Sequence, residues 1–126
     1  MPFIHIRSLH FEKSLDASKV IKEITEDFSI ATGVAIEHIT VTWEFVTPGH
    51  YAVAGKVVEY QSMESHPLLV DLLIPDFNSA QEIEDMVRET AKSISRRVKI
   101  PVDNIFVHGH VARSGRVFDA GEIVHW

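Results

Sequence analysis

An apolar strand, an amphipathic helix and a second strand follow one another between Pro2 and Val46, and the same order returns between Pro67 and Val111. Residues 3 to 7 alternate Phe3, His5 and Arg7 on one face with Ile4 and Ile6 on the other, the two-residue period of a strand. Ser14 and Asp16 offer N-cap oxygens, Ala17, Val20, Ile21, Ile24, Phe28 and Ala31 form a helical stripe, and Gly33 supplies the stop. Ile39 to Val46, rich in branched and aromatic residues, reads as a second strand. Strand, helix and strand at this spacing predict a right-handed crossover between parallel strands. In the second half Pro67 to Ile74 is again an apolar strand, and Ser79-Ala80-Gln81-Glu82 has capping-box spacing. Ile83, Val87, Ala91, Ile94 and Val98 then keep helical steps, and Val102 to Val111 follows as a strand. Each half also ends in turn residues. Thr47-Pro48-Gly49 leads into His50 to Val58, a short hairpin or edge strand, and Ser114-Gly115-Arg116 into Val117 to Trp126.

Pro2 corresponds to Pro67 (67 − 2 = 65) and Ile39 to Ile105 (105 − 39 = 66), which places one inserted residue between the two matches. The expectation is a single domain, 1–126, made of two β-α-β repeats, about 2–60 and 67–126, joined by duplication. Its fold class is α+β, with a four-stranded mixed sheet and two helices on one face. The other face needs a cover.

With 126 residues, 45% of them hydrophobic, the chain can build one core but not two. No apolar run approaches the roughly 20 residues of a membrane helix, and the start lacks signal-peptide layout. A cytoplasmic protein with no membrane partner is expected. The absence of cysteine excludes disulfides, a thiolate nucleophile and thiolate metal sites. A net charge of −6, from 18 acidic against 12 basic residues, argues against nonspecific nucleic-acid binding, which needs a basic face. A small molecule or a protein is the better partner.

Chemistry must then come from other groups. Once Met1 is removed, Pro2 is a secondary amine able to accept a proton, and an apolar strand disfavours its protonated form, bringing it toward the range where a general base works best. Pro67 is acylated by His66 and has no such basicity. His108 and His110, two apart on a strand, could present two imidazoles to one metal. A third ligand is not evident, though His5, His50, Asp119 or Glu122 could converge on the pair; two-residue spacing on a strand is common, and no metal and no cofactor are assigned. His10, His38, His66 and His125 read as loop or end residues.

The proline after Met1, the repeated β-α-β pattern, Ala31-Thr32-Gly33, and the run Pro48-Gly49-His50-Tyr51-Ala52-Val53-Ala54-Gly55-Lys56 together resemble the tautomerase superfamily. Its types are 4-oxalocrotonate tautomerase, 5-carboxymethyl-2-hydroxymuconate isomerase and macrophage migration inhibitory factor. The chain resembles the branch in which one subunit carries two units and three subunits associate. Gly115-Arg116-Val117 with Gly121-Glu122 resembles a degraded second copy of the hairpin. The resemblance implies a tautomerase/MIF-like fold, a homotrimer covering the bare sheet face, and a proton shuttle on a small 2-oxo or conjugated carbonyl compound with Pro2 as base. Tyr51 would line the pocket beside the proline. His108, from an adjacent subunit, would hydrogen-bond the substrate, and Arg113 and Arg116 would supply cations from a neighbour. Where family members carry arginine or lysine for a substrate carboxylate, this chain has Thr40, Val34 and Glu12, with Lys13 beside it. That departure sets a second reading beside the first, a noncatalytic trimeric scaffold or binding protein of the same fold.

Overall fold

The computed structural model describes residues 2–126. The chain runs β1 (Phe3–Ser8), α1 (Ala17–Thr32), β2 (Thr40–Phe45), β3 (Ala52–Val53), β4 (Lys56–Val57), β5 (Leu68–Pro75), α2 (Ala80–Val98), β6 (Ile105–Ala112), β7 (Val117–Asp119) and β8 (Glu122–Val124). Four strands form a mixed sheet in the order β2-β1-β5-β6. β1 is parallel to β2 and β5 to β6, while β1 and β5 meet antiparallel at the centre. The α+β architecture expected from the repeated pattern is thus present, with α1 and α2 packed side by side on one sheet face.

Local chemistry explains both helices. Asp16 caps α1 by accepting from the Lys19 amide, and Gly33 closes it at φ 75°, a left-handed turn that glycine adopts without strain. Ser79 and Glu82 form the expected capping box at the start of α2. Ile4, Ile6, Leu68, Val70, Leu72 and Ile74 point from the sheet into Val20, Ile24 and Phe28 of α1 and Met86, Ile94 and Val98 of α2. Burying a side chain such as the fully enclosed Phe28 contributes about 1.5–3 kcal/mol.

The α2 stripe is rotated from the expected one. Met86, Thr90, Ser93, Ile94 and Val98 are buried, while Ile83 and Val87 are half-buried and lean over Gly109 of β6. Two hydroxyls are tolerated inside because each is satisfied: Thr90 donates to the Met86 carbonyl and Ser93 to Asp27 Oδ2.

The repeat is more regular than its sequence suggests. Helix stops at Gly33 and Lys99, strand entries at Ile39 and Ile105, and hairpin turns at Ala54-Gly55 and Ala120-Gly121 are all separated by 66 positions (99 − 33, 105 − 39, 121 − 55). The inward faces follow the same offset, Ile4 and Ile6 matching Val70 and Leu72. Pro2 therefore corresponds to Leu68, not to Pro67, and no inserted residue is needed. A shift of one would have put Phe3, which faces outward, opposite Leu68, which faces the core. The second hairpin is also a full one: β7 and β8 pair around Ala120-Gly121 as β3 and β4 pair around Ala54-Gly55.

Among the described residues no helix lies on the second sheet face. Across it run three rows in register: Thr40, Phe3, Leu73, His110; then Thr42, His5, Asp71, His108; then Glu44, Arg7, Leu69, Phe106.

Candidate active site

Pro2 sits at the start of β1, buried, its carbonyl accepting from the Thr40 amide at 3.0 Å. That bond is a consequence of the parallel crossover, which lays the entry of β2 beside the entry of β1. The residues just before β2, Glu37 and His38 in a short 3₁₀ turn, are thereby brought next to Pro2. From the other side the β7–β8 hairpin brings Val117, Phe118 and Asp119. With Phe3, Thr40 and Leu73 these residues enclose a cleft of about 410 Å³. Behind Pro2 lies a smaller, apolar cavity of about 150 Å³ formed by Val34, Ile74, Pro75, Phe77 and Met86, with His38 and Asn78 at its rim.

This arrangement presents residue 2 on the wall between an oily cavity and a polar cleft. Hydrogen-bonding groups within the cleft are the imidazole of His38 and the hydroxyl of Thr40, and its charged groups are Glu37 and Asp119, both carboxylates. Met1, on whose removal a free amine depends, lies outside the described residues.

The other expected site residues lie elsewhere in the chain. Tyr51 is at the opposite end of the sheet, where its hydroxyl donates to the Pro67 carbonyl at 2.7 Å and its ring meets the edge of His66 at 5.1 Å. Burial there pushes the Tyr51 phenol above its ordinary value. By the 66-residue offset Tyr51 matches Val117, so the tyrosine stands at the start of β5 and a valine occupies its place beside Pro2 (117 − 51). Arg113 and Arg116 are exposed at the turn into β7, where the Arg116 amide donates to the Arg113 carbonyl, and neither lines the cleft. His108 is exposed on the open sheet face, one row inward from Phe3 and Leu73.

Three polar cleft residues, Glu37, His38 and Asp119, escape the sequence reading. His38 was expected to be a loop residue and Asp119 was weighed only as a partner of His108. The signal was available for His38, since a parallel crossover sets the residues preceding β2 against the start of β1.

No family profile and no curated protein matches the sequence. Solved structures do match its shape. A protein crystallised after inactivation by 2-oxo-3-pentynoate superposes with a TM-score of 0.79 at 15% identity, over 97% of this chain and 94% of that one. A wild-type fused 4-OT, described as an asymmetric trimer, gives 0.80 at 9% identity, over 96% and 94%. A macrophage migration inhibitory factor-like protein from Entamoeba histolytica gives 0.66 at 14%, over 97% of each chain. At these identities what is shared is architecture, and the chain has the fold of the tautomerase superfamily.

Proposed function

We propose that the protein is a cofactor-free keto-enol tautomerase whose base is the free amine of Pro2. The observation carrying this reading is the position of Pro2, buried between an apolar cavity and a cleft that holds two hydrogen-bonding side chains. The amine takes a proton from the carbon next to a carbonyl, the electron pair moves onto the carbonyl oxygen, and His38 or Thr40 hydrogen-bonds the enolate oxygen. The protonated amine then returns the proton to carbon or, in a conjugated substrate, to a carbon further along. The apolar cavity beside Pro2 favours the neutral amine over its ammonium form, while Glu37 and Asp119 in the cleft pull the other way.

The charges of the cleft select the substrate class. Glu37 and Asp119 repel a carboxylate, and neither Arg113 nor Arg116 of the same chain stands against them. Within one chain these charges favour a small uncharged carbonyl compound over a carboxylate. A substrate role for Tyr51, His108, Arg113 or Arg116 requires a neighbouring chain. A homotrimer is part of the proposal, supported by the trimeric description of a structure of like fold and by exposed apolar side chains on both hairpins and the β6 edge, Val57, Phe106 and Phe118 among them. The same anionic cleft favours the second reading, a noncatalytic trimer, if the amine is blocked.

An uncharged ynone, but-3-yn-2-one, distinguishes the two. A neutral amine adds to its triple bond and its own proton passes to the adjacent carbon, so the adduct carries the whole mass of the reagent. Peptide mapping should place that adduct on residue 2, with the anionic 2-oxo-3-pentynoate reacting about tenfold or more slowly, a difference of about 1.4 kcal/mol. A residue 2 still joined to Met1, or left unlabelled while lysines react, would sink the catalytic reading.

A further inference from the structure

The open face of the sheet gathers a second set of chemically capable side chains, away from the cleft. His108 and His110 leave β6 on the same side, their ring centroids 3.9 Å apart. β5 runs parallel beside them with Asp71 directly opposite His108. Asp71 Oδ1 lies 3.1 Å from His110 Nε2, and the ligand-capable atoms of all three residues lie within 4.8 Å of one another. Arg7, on β1, holds the other carboxylate oxygen at 3.2 Å, which leaves Oδ1 turned toward the imidazoles. The third ligand that the sequence did not disclose is thus supplied by the neighbouring strand of the same chain.

We propose that Asp71, His108 and His110 form a three-ligand site for a divalent first-row transition ion, for which Zn²⁺ is the simplest probe. Ligand atoms of a tetrahedral zinc site, with bonds of about 2.1 Å, stand about 3.4 Å apart. Turning the two solvent-accessible imidazoles has to bring these atoms closer by up to about 1.4 Å. Two nitrogens and one oxygen suit Zn²⁺, Ni²⁺ or Fe²⁺ and not Ca²⁺ or Mg²⁺, which take oxygen sets. Three protein ligands leave a coordination position for water. The hydrogen bond from Arg7 orients the carboxylate as outer partners of metal ligands do, and its positive charge weakens the site for a cation. The site is complete within one chain and does not depend on the role of Pro2.

The test is calorimetric titration of zinc chloride into the full chain after chelator treatment. The expected result is one ion per chain, weakened about tenfold or more in His108→Asn and in Asp71→Asn and unchanged in His125→Asn, a histidine outside the cluster. Cobalt(II) gives a second readout, a visible ligand-field band that His108→Asn should abolish while circular dichroism shows the fold intact. Should Asp71→Asn fail to fold, the two histidine variants, whose side chains are exposed, decide the matter. Absence of saturable binding, or a His108→Asn/His110→Asn double variant that binds like the wild type, would overturn the proposal.

Discussion

Single side chains tie the two helices together through one partly buried carboxylate. Asp27 of α1, its side chain only 12% exposed, accepts two hydrogen bonds from Arg97 at 2.7 and 2.9 Å and one from Ser93 at 2.7 Å. The Arg97 hydrogen bonds act first, ahead of burial, which opposes them, and hold the carboxyl at about 2 against an ordinary 3.8. Between those values the unfolded chain binds a proton that the folded one does not, so the contribution is complete above about pH 4 and is lost as the pH falls through 2. Water screens this part-exposed pair, so the preference contributes about 1–2 kcal/mol. Arg97→Ala should cost about 1–3 kcal/mol at neutral pH, since it strands a partly buried charge, and much less at pH 2, a difference that denaturant titration at the two pH values measures. At this scale the sequence is legible where pattern alone decides a side chain's place, as with Pro2 at the head of an apolar strand. It is silent where chain folding supplies the neighbour. Tyr51 carries the motif, yet the repeat puts it beside Pro67, and Asp71 has nothing near it in sequence to mark it as a partner of His110.

Elements were the most readable level, because period and caps act locally. Both helices, their N-caps and the four main strands follow from residue spacing and turn chemistry. What escaped was rotation and register. Ile83, Val87 and Ala91 mark a stripe on α2, but the helix packs beside α1 as well as on the sheet. Its buried side therefore includes Thr90 and Ser93, whose hydroxyls find partners that sequence cannot display. The match of Pro2 to Pro67 failed for a related reason. Identity of residue type suggested an offset of 65, whereas the alternation of buried and exposed positions on β1 and β5 fixes it at 66. The same offset makes the β7–β8 hairpin equivalent to β3–β4, and it is β7 that closes the cleft over Pro2.

The whole molecule leaves a sheet face with His5, Arg7, Asp71, His108 and His110 uncovered by any helix, beside hairpins whose Phe118 is 71% exposed. Three chains around these surfaces would cover the exposed apolar side chains of the hairpins. Light scattering should therefore give a mass about three times 14.2 kDa, and a monomer at micromolar concentration would remove the trimer from the proposal. The proposed catalysis depends on less than the assembly, namely one amine at the wall of the cleft. Ketonisation of the enol of a phenylpyruvate ester, followed by absorbance with protein whose intact mass shows Met1 removed, examines that amine alone. The expected outcome is a wild-type kcat/KM at least about 100-fold above that of Pro2→Ala, the usual contribution of a positioned base. Equal rates for the two proteins would contradict it.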